Sequence, residues 1–338
     1  MASDLFDSTP APRYGVYQGD IRDCGLAPWC PPGVPSFLKS LRNKRWRFVG
    51  VFSPGLVLGA AVVDARYLGT SFAYVFDLTT NTLVEFKGQS PLAAHVDFSD
   101  HCRQGRAAFV KGRDRIVMEY RDDGEPSTLV VDVGVPSGRI TVEVAYDESD
   151  ATMIPHQVIS PTPGGSVAFT HKAAGLPASG VVTTPGGSYR LEASDAFAAV
   201  DHTAGYHDRF WEWRWASLGG MSQQGVRVGL NLVEPVHHPV FTENALWVER
   251  QPFPVSGARF QYDKGDIMKP WRITSDDGLV DLTFTPKGQR QETINALVLK
   301  SCFHQPAGLF NGVLKEPGGT AHQVKDLPGV VEEHEALW

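Results

Sequence analysis

Three tryptophans at alternate positions, Trp211, Trp213 and Trp215, follow closely on a run of proton-carrying side chains: Asp201, His202, Tyr206, His207 and Asp208. In a strand, successive side chains point to opposite faces. The three indoles then share one face, and Glu212 and Arg214 share the other. An aromatic wall beside acids and imidazoles can grip an apolar molecule and move protons on it. Protonating an alkene needs a carboxylic acid kept neutral by apolar surroundings. The cation that forms needs π faces nearby. Asp201 and Glu243 are the candidate acids, and His202 or His207 the orienter. The Trp ladder is the candidate wall, Asn231 an anchor for water or a carbonyl, and Tyr206, His207 and Trp247 further ligand contacts.

Each of these residues also has a plain structural reading. Large aromatics commonly fill cores. Asp201-His202 and Tyr206-His207 could form an Asx-type turn ahead of the Trp strand, with the histidines exposed. Glu243 could be an exposed acid at the start of the strand Ala245-Leu246-Trp247. Asn231 sits between Leu230 and Leu232, so it points opposite to both and faces either a cavity or solvent.

The elements that must position these groups read as strands. Residues 1–43 are irregular and proline-rich, an arm expected to wrap the surface and end in a short helical turn near residues 36–42. From Arg45 onward, short apolar or alternating runs are separated by turn signals such as Ser53-Pro54-Gly55 and Pro185-Gly186-Gly187-Ser188. Sustained 3.6-residue periodicity is absent, apart from a short span at residues 193–201. This pattern predicts an all-β sandwich or barrel with little helix. Lys44-Arg45-Trp46-Arg47-Phe48 and Trp211-Glu212-Trp213-Arg214-Trp215 each open a meander, which suggests two β units. The expected division is an arm at 1–43, a first β unit at 44–175, and a second at 176–338 that ends in a C-terminal tail.

Composition narrows the function classes. A net charge of −7 argues against nucleic-acid binding. No run of 18 apolar residues is present, so no spanning helix is expected. The acidic start, Met1-Ala2-Ser3-Asp4, has no signal-peptide apolar core, and a cytoplasmic location is expected. The cysteines Cys24, Cys30, Cys102 and Cys302 fit neither a disulfide framework nor a common zinc spacing. His237-His238 lacks a third ligand at workable spacing. No metal and no cofactor are expected, and no phosphate-loop or nucleophile-elbow motif occurs.

Several segments resemble the bacterial family called domain of unknown function 2804. They are Lys44-Arg45-Trp46, Phe52-Ser53-Pro54, Ala61–Asp64 with Tyr67-Leu68-Gly69, Phe76-Asp77, Asp201 with Gly205-Tyr206, Trp213-Arg214-Trp215-Ala216, Gly229-Leu230-Asn231-Leu232, and Val280–Pro286. The Asp201-His202…Gly205 element before a Trp strand is also similar to the carotenoid hydratase and AttH-like group. The resemblance implies two lipocalin-like (calycin-type) antiparallel β units and an apolar small-molecule ligand. The function expected is cofactor-independent hydration, isomerisation or cyclisation of an isoprenoid or polyketide-like molecule. The alternative is a non-catalytic binder of a lipid-like ligand. No oligomeric state follows from the sequence.

Overall fold

The computed structural model describes residues 3–8, 11–31, 33–35, 38–236, 238–295 and 300–337. Where apolar residues alternate, strands bury one face: in Gly138–Tyr146, Ile140, Val142, Val144 and Tyr146 are buried, while Thr141 and Glu143 are exposed. Where the apolar run is continuous, as in Leu56–Val62, both faces are covered. The one helix among the described residues is α1 (Lys39–Arg42). Ser36 and Phe37, where the helical turn is expected to begin, and His237 of the His pair lie outside the described residues.

The first sheet contains β1 (Gly15–Tyr17), β2 (Asn43–Ser53), β3 (Leu56–Asp64), β4 (Leu68–Asp77), β5 (Thr82–Pro91), β6 (Val96–Phe98), β7 (Gly105–Lys111), β8 (Asp114–Tyr120), β9 (Ser127–Val135), β10 (Gly138–Tyr146), β11 (His156–Pro161), β12 (Val167–Thr184), β13 (Gly187–Leu191) and β14 (Phe197–Tyr206). Its main path runs β5-β4-β3-β2-β14-β12-β10-β9-β8-β7-β6. The second sheet contains β15 (Phe210–Met221), β16 (Arg227–Glu234), β17 (Ala245–Val248), β18 (Gln251–Pro254), β19 (Ala258–Gln261), β20 (Trp271–Ser275), β21 (Val280–Asn295), β22 (Lys300–Lys315) and β23 (Ala321–Leu337), in the order β18-β17-β16-β15-β23-β22-β21-β20-β19. Both sheets are antiparallel and curled, one into a near-barrel and the other into a half-barrel, the all-β lipocalin-like arrangement expected from the sequence. Among the described residues, no helix is long and apolar enough to cross a membrane.

The strands depart from the local expectations at several points. Residues 197–206 form strand β14, neither a turn nor part of a helix-like span; its pairing with β2 and β12 on both sides overrides the turn chemistry of Asp201. The C-terminal tail is instead β22 and β23, which supply the centre of the second sheet. The arm is not wholly irregular, since β1 pairs with β11. The expected division at 175/176 falls inside β12, at the Ala174/Leu176 register shift, whereas sheet membership changes between Tyr206 and Phe210.

The sheets press together at that shift. Gly175 has φ +86, and a Cβ on Gly229 of β16 would lie 2.0 Å from the Ala174 carbonyl oxygen. Only a glycine lets the two backbones meet this closely.

Candidate functional site

Between the sheets lies a cavity of about 190 Å³. Strand parity furnishes its first wall in two rows. One row is Lys172, Asp201, Phe48, Ala61 and Phe72, directly paired across β12, β14, β2, β3 and β4. The second is Thr170, Thr203, Trp46, Val63 and Thr70. All ten residues line the cavity. The opposite wall is built the same way: Trp213, His334, Phe303 and Glu292 form one row across β15, β23, β22 and β21, and Trp215 is paired with Glu332. Aromatic rings join the walls, with Trp46 stacked on Trp213 at 6.5 Å and Phe48 edge-on to Trp215 at 5.5 Å.

Two polar centres stand among these rings. On the first wall the Lys172 ammonium lies 2.6 Å from Asp201 Oδ1 and 2.9 Å from Glu243 Oε2. Burial works against the Lys172 charge, but the two carboxylates more than offset it and hold the ammonium above its usual range. On the second wall Glu332 accepts hydrogen bonds from Trp213 Nε1 at 2.6 Å and Gln305 Nε2 at 2.9 Å. Burial nevertheless pushes the Glu332 carboxyl up to about 7, with the neighbouring Asp201 charge adding to the rise. Beside it, His334 Nε2 lies 2.8 Å from Ser301 Oγ, and burial together with Arg290 pushes this imidazole down to about 3. Arg290 packs its guanidinium over Phe72 and Phe303 and bonds Glu292 at 2.7 Å.

Of the residues singled out in the sequence, Asp201, Glu243, Trp211, Trp213 and Trp215 line the cavity together. The others stand elsewhere. His202, one position from Asp201 in β14, points to the opposite face. There its Nδ1 lies 3.5 Å from Arg47 Nη1 and its Nε2 3.5 Å from Cys24 Sγ. Arg47 Nη2 in turn donates to both carboxylate oxygens of Glu148, at 2.6 and 2.8 Å. Burial and the Arg47 charge push His202 far below its usual range. The Tyr206 hydroxyl bonds the carbonyl of Leu26 at 3.2 Å, beneath the arm. His207 packs behind the wall against Trp46 and Trp211. Asn231 accepts from Trp215 Nε1 at 2.8 Å and donates to the Glu243 carbonyl at 2.9 Å, so it positions two lining residues without lining the cavity itself. Trp247 is buried in the core and donates to the Ile154 carbonyl.

Sequence reasoning missed Lys172, Gln305, Glu332, His334, Arg290 and the outer rings Trp46, Phe48, Phe72 and Phe303. The alternation Lys172/Thr170 and Glu332/His334 carried a signal, but polar residues on a cavity-facing side erase the apolar period that marks a strand. Cys24 and Cys102 are buried and each donates to a backbone carbonyl between the arm and the first sheet, while Cys30 and Cys302 are exposed. Among the described residues, no group of three His, Cys, Asp or Glu side chains is arranged to hold a metal ion.

The fold has solved relatives at low identity. Kievitone hydratase from Nectria haematococca superposes with a TM-score of 0.51 at 11% identity, covering 87% of this chain and 88% of its own. A putative AttH from Nitrosomonas europaea gives 0.52 at 14%, covering 86% and 92%. CghA with Sch210972 gives 0.55 at 10%, covering 96% and 99%. No curated protein matches the sequence significantly. The family model described as Domain of unknown function (DUF2804) matches residues 8–338, and the chain belongs to that family.

Proposed function

We propose that the protein is an enzyme that protonates an apolar, alkene-bearing small molecule, isoprenoid or polyketide-like, in the Trp-lined cavity. Hydration, isomerisation or cyclisation would complete the reaction. The observation that carries this reading is Glu332, a cavity-lining carboxyl raised to about 7 among indoles. Such a group holds a proton near neutrality and can give it up to carbon, the requirement for a general acid. Asp201 and Glu243 are engaged with the Lys172 ammonium, so the donor role passes to Glu332. Trp213 and Trp215 flank the acid in the same sheet and offer π faces to the developing cation. Gln305 and Trp213 orient the carboxyl and stabilise the carboxylate left after transfer. A fold relative that bears the name of a hydratase is consistent with this chemistry.

The test is incubation of the protein with a panel of prenyl-bearing apolar compounds in D₂O, with deuterium uptake into product followed by mass spectrometry. The wild type should incorporate deuterium at carbon. Glu332→Gln keeps the shape and loses the proton, and its rate should fall about 10²–10⁴-fold. Saturable ligand binding with no turnover across the panel would favour the non-catalytic binder. An unimpaired Glu332→Gln variant would remove Glu332 from the role.

A further inference from the structure

In the three ion pairs between described residues that line the cavity, the cation is the hidden partner. The Lys172 side chain is 3% exposed, against 14% for Asp201 and 10% for Glu243. Arg290 is 1% exposed, against 24% for Glu292. The more exposed partner in each pair is therefore a carboxylate, and the rings of Trp46, Trp211, Trp213, Trp215, Phe72 and Phe303 line the same cavity. Two of these rings already hold a cation, since the Arg290 guanidinium lies 3.9 Å from the Phe72 centroid and 4.8 Å from that of Phe303. Aromatic faces combined with negative charge in a partly desolvated cavity are the chemistry that recognises organic ammonium ions.

We infer that this cavity binds organic ammonium ions, a quaternary or protonated tertiary amine on an apolar skeleton, in preference to their uncharged isosteres. The inference rests on reading the cavity as the ligand site, but not on Glu332 acting as a proton donor. A cavity of on the order of 150 Å³ suffices for benzene, so one of about 190 Å³ takes a single ring with a compact cationic head. The preference should also depend on pH. Glu332 is neutral below about 7 and adds a negative charge above it. The charged and titratable groups that share the cavity with it are Asp201 and Lys172 from the first sheet, Tyr67 between β3 and β4, Glu243 ahead of β17, Arg290 and Glu292 on β21, and His334 on its own strand.

The experiment compares benzyltrimethylammonium with neopentylbenzene, in which carbon replaces the charged nitrogen, by equilibrium dialysis against wild-type protein at pH 6 and pH 8. The ammonium should bind about tenfold more tightly at pH 6. Its advantage should grow by up to about tenfold more at pH 8. Glu332→Gln should keep the pH 6 preference and lose the rise with pH. Equal or tighter binding of neopentylbenzene at both pH values, or no binding of either probe, overturns the inference, and neither comparison needs a variant to fold. A pH rise that survives in Glu332→Gln overturns the part assigned to Glu332. If wild-type protein labels alkenes in D₂O but shows no ammonium preference, the inference fails alone. If the ammonium preference stands without any labelling, the protonation reading fails alone.

Discussion

Glu332 is buried and lines the cavity beside Trp213 and Trp215. Its carboxyl ionises near 4.5 in the unfolded chain and near 7 in the fold. Between those values the unfolded state has released its proton while the folded state keeps it. Stability from this group is therefore present below about 4.5 and is lost as pH rises through about 7. The loss is about 3 kcal/mol at the full shift. Thermal melts of wild type and Glu332→Gln from pH 4.5 to 8 should show the wild type falling relative to the variant over that interval, and parallel curves would contradict the raised carboxyl. Asn231 offers a second prediction. Removing its side chain in Asn231→Ala leaves the buried Trp215 indole N–H without its acceptor. An unmet buried donor costs about 1–3 kcal/mol, readable as a lower urea midpoint, and the shifted Trp215 emission should report it directly.

At the scale of elements, parity along each strand decides which residues meet. Asp201 and His202 are neighbours in sequence yet face opposite sides of β14, so one lines the cavity and the other joins the Arg47–Glu148 network. The same parity gathers Lys172, Asp201 and Phe48 from three strands into one row. The crossing of β12 and β16 fixes how the two sheets approach. Gly229→Ala would place a methyl group 2.0 Å from the Ala174 carbonyl oxygen, which backbone cannot yield cheaply. Overpacking of this kind costs about 1–3 kcal/mol or more. The expected outcome is a lower melting temperature with the β-type circular dichroism retained, and a variant as stable as wild type would show that the sheets can part at this point. The motif Gly229-Leu230-Asn231-Leu232 thus has two physical tasks, close approach at the glycine and clamping of Trp215 at the asparagine.

For the whole molecule, the arm closes the far face of the first sheet. Leu5, Ile21, Leu26 and Cys24 form one buried cluster with Phe169, Ala204 and Tyr206. Cys102 Sγ bonds the Ile21 carbonyl, and Gln157 bonds both the Ile21 carbonyl and His171. Deleting residues 1–43 uncovers this apolar cluster and the polar network beneath it. Each buried Leu or Ile contributes roughly 1.5–3 kcal/mol, so the truncated protein should unfold at markedly lower urea concentration and bind a hydrophobic dye. An unchanged midpoint would mean that the arm is only a covering.

The sequence alone determined the all-β class, because turn signals and period-2 runs are local properties of the chain. It also determined that Trp211, Trp213 and Trp215 share a face, because alternation is set by the pleat. It could not show that β22 and β23 are strands. Their polar residues line a cavity between sheets, and such a face carries no apolar period. Nor could it show which cavity carboxyl has its ionisation raised. Burial between the sheets raises the Glu332 carboxyl, against the hydrogen bonds from Trp213 and Gln305, and Asp201 is ion-paired to Lys172, 29 positions earlier in the chain. Those pairings depend on which strands become neighbours, which long-range closure of the sheets decides.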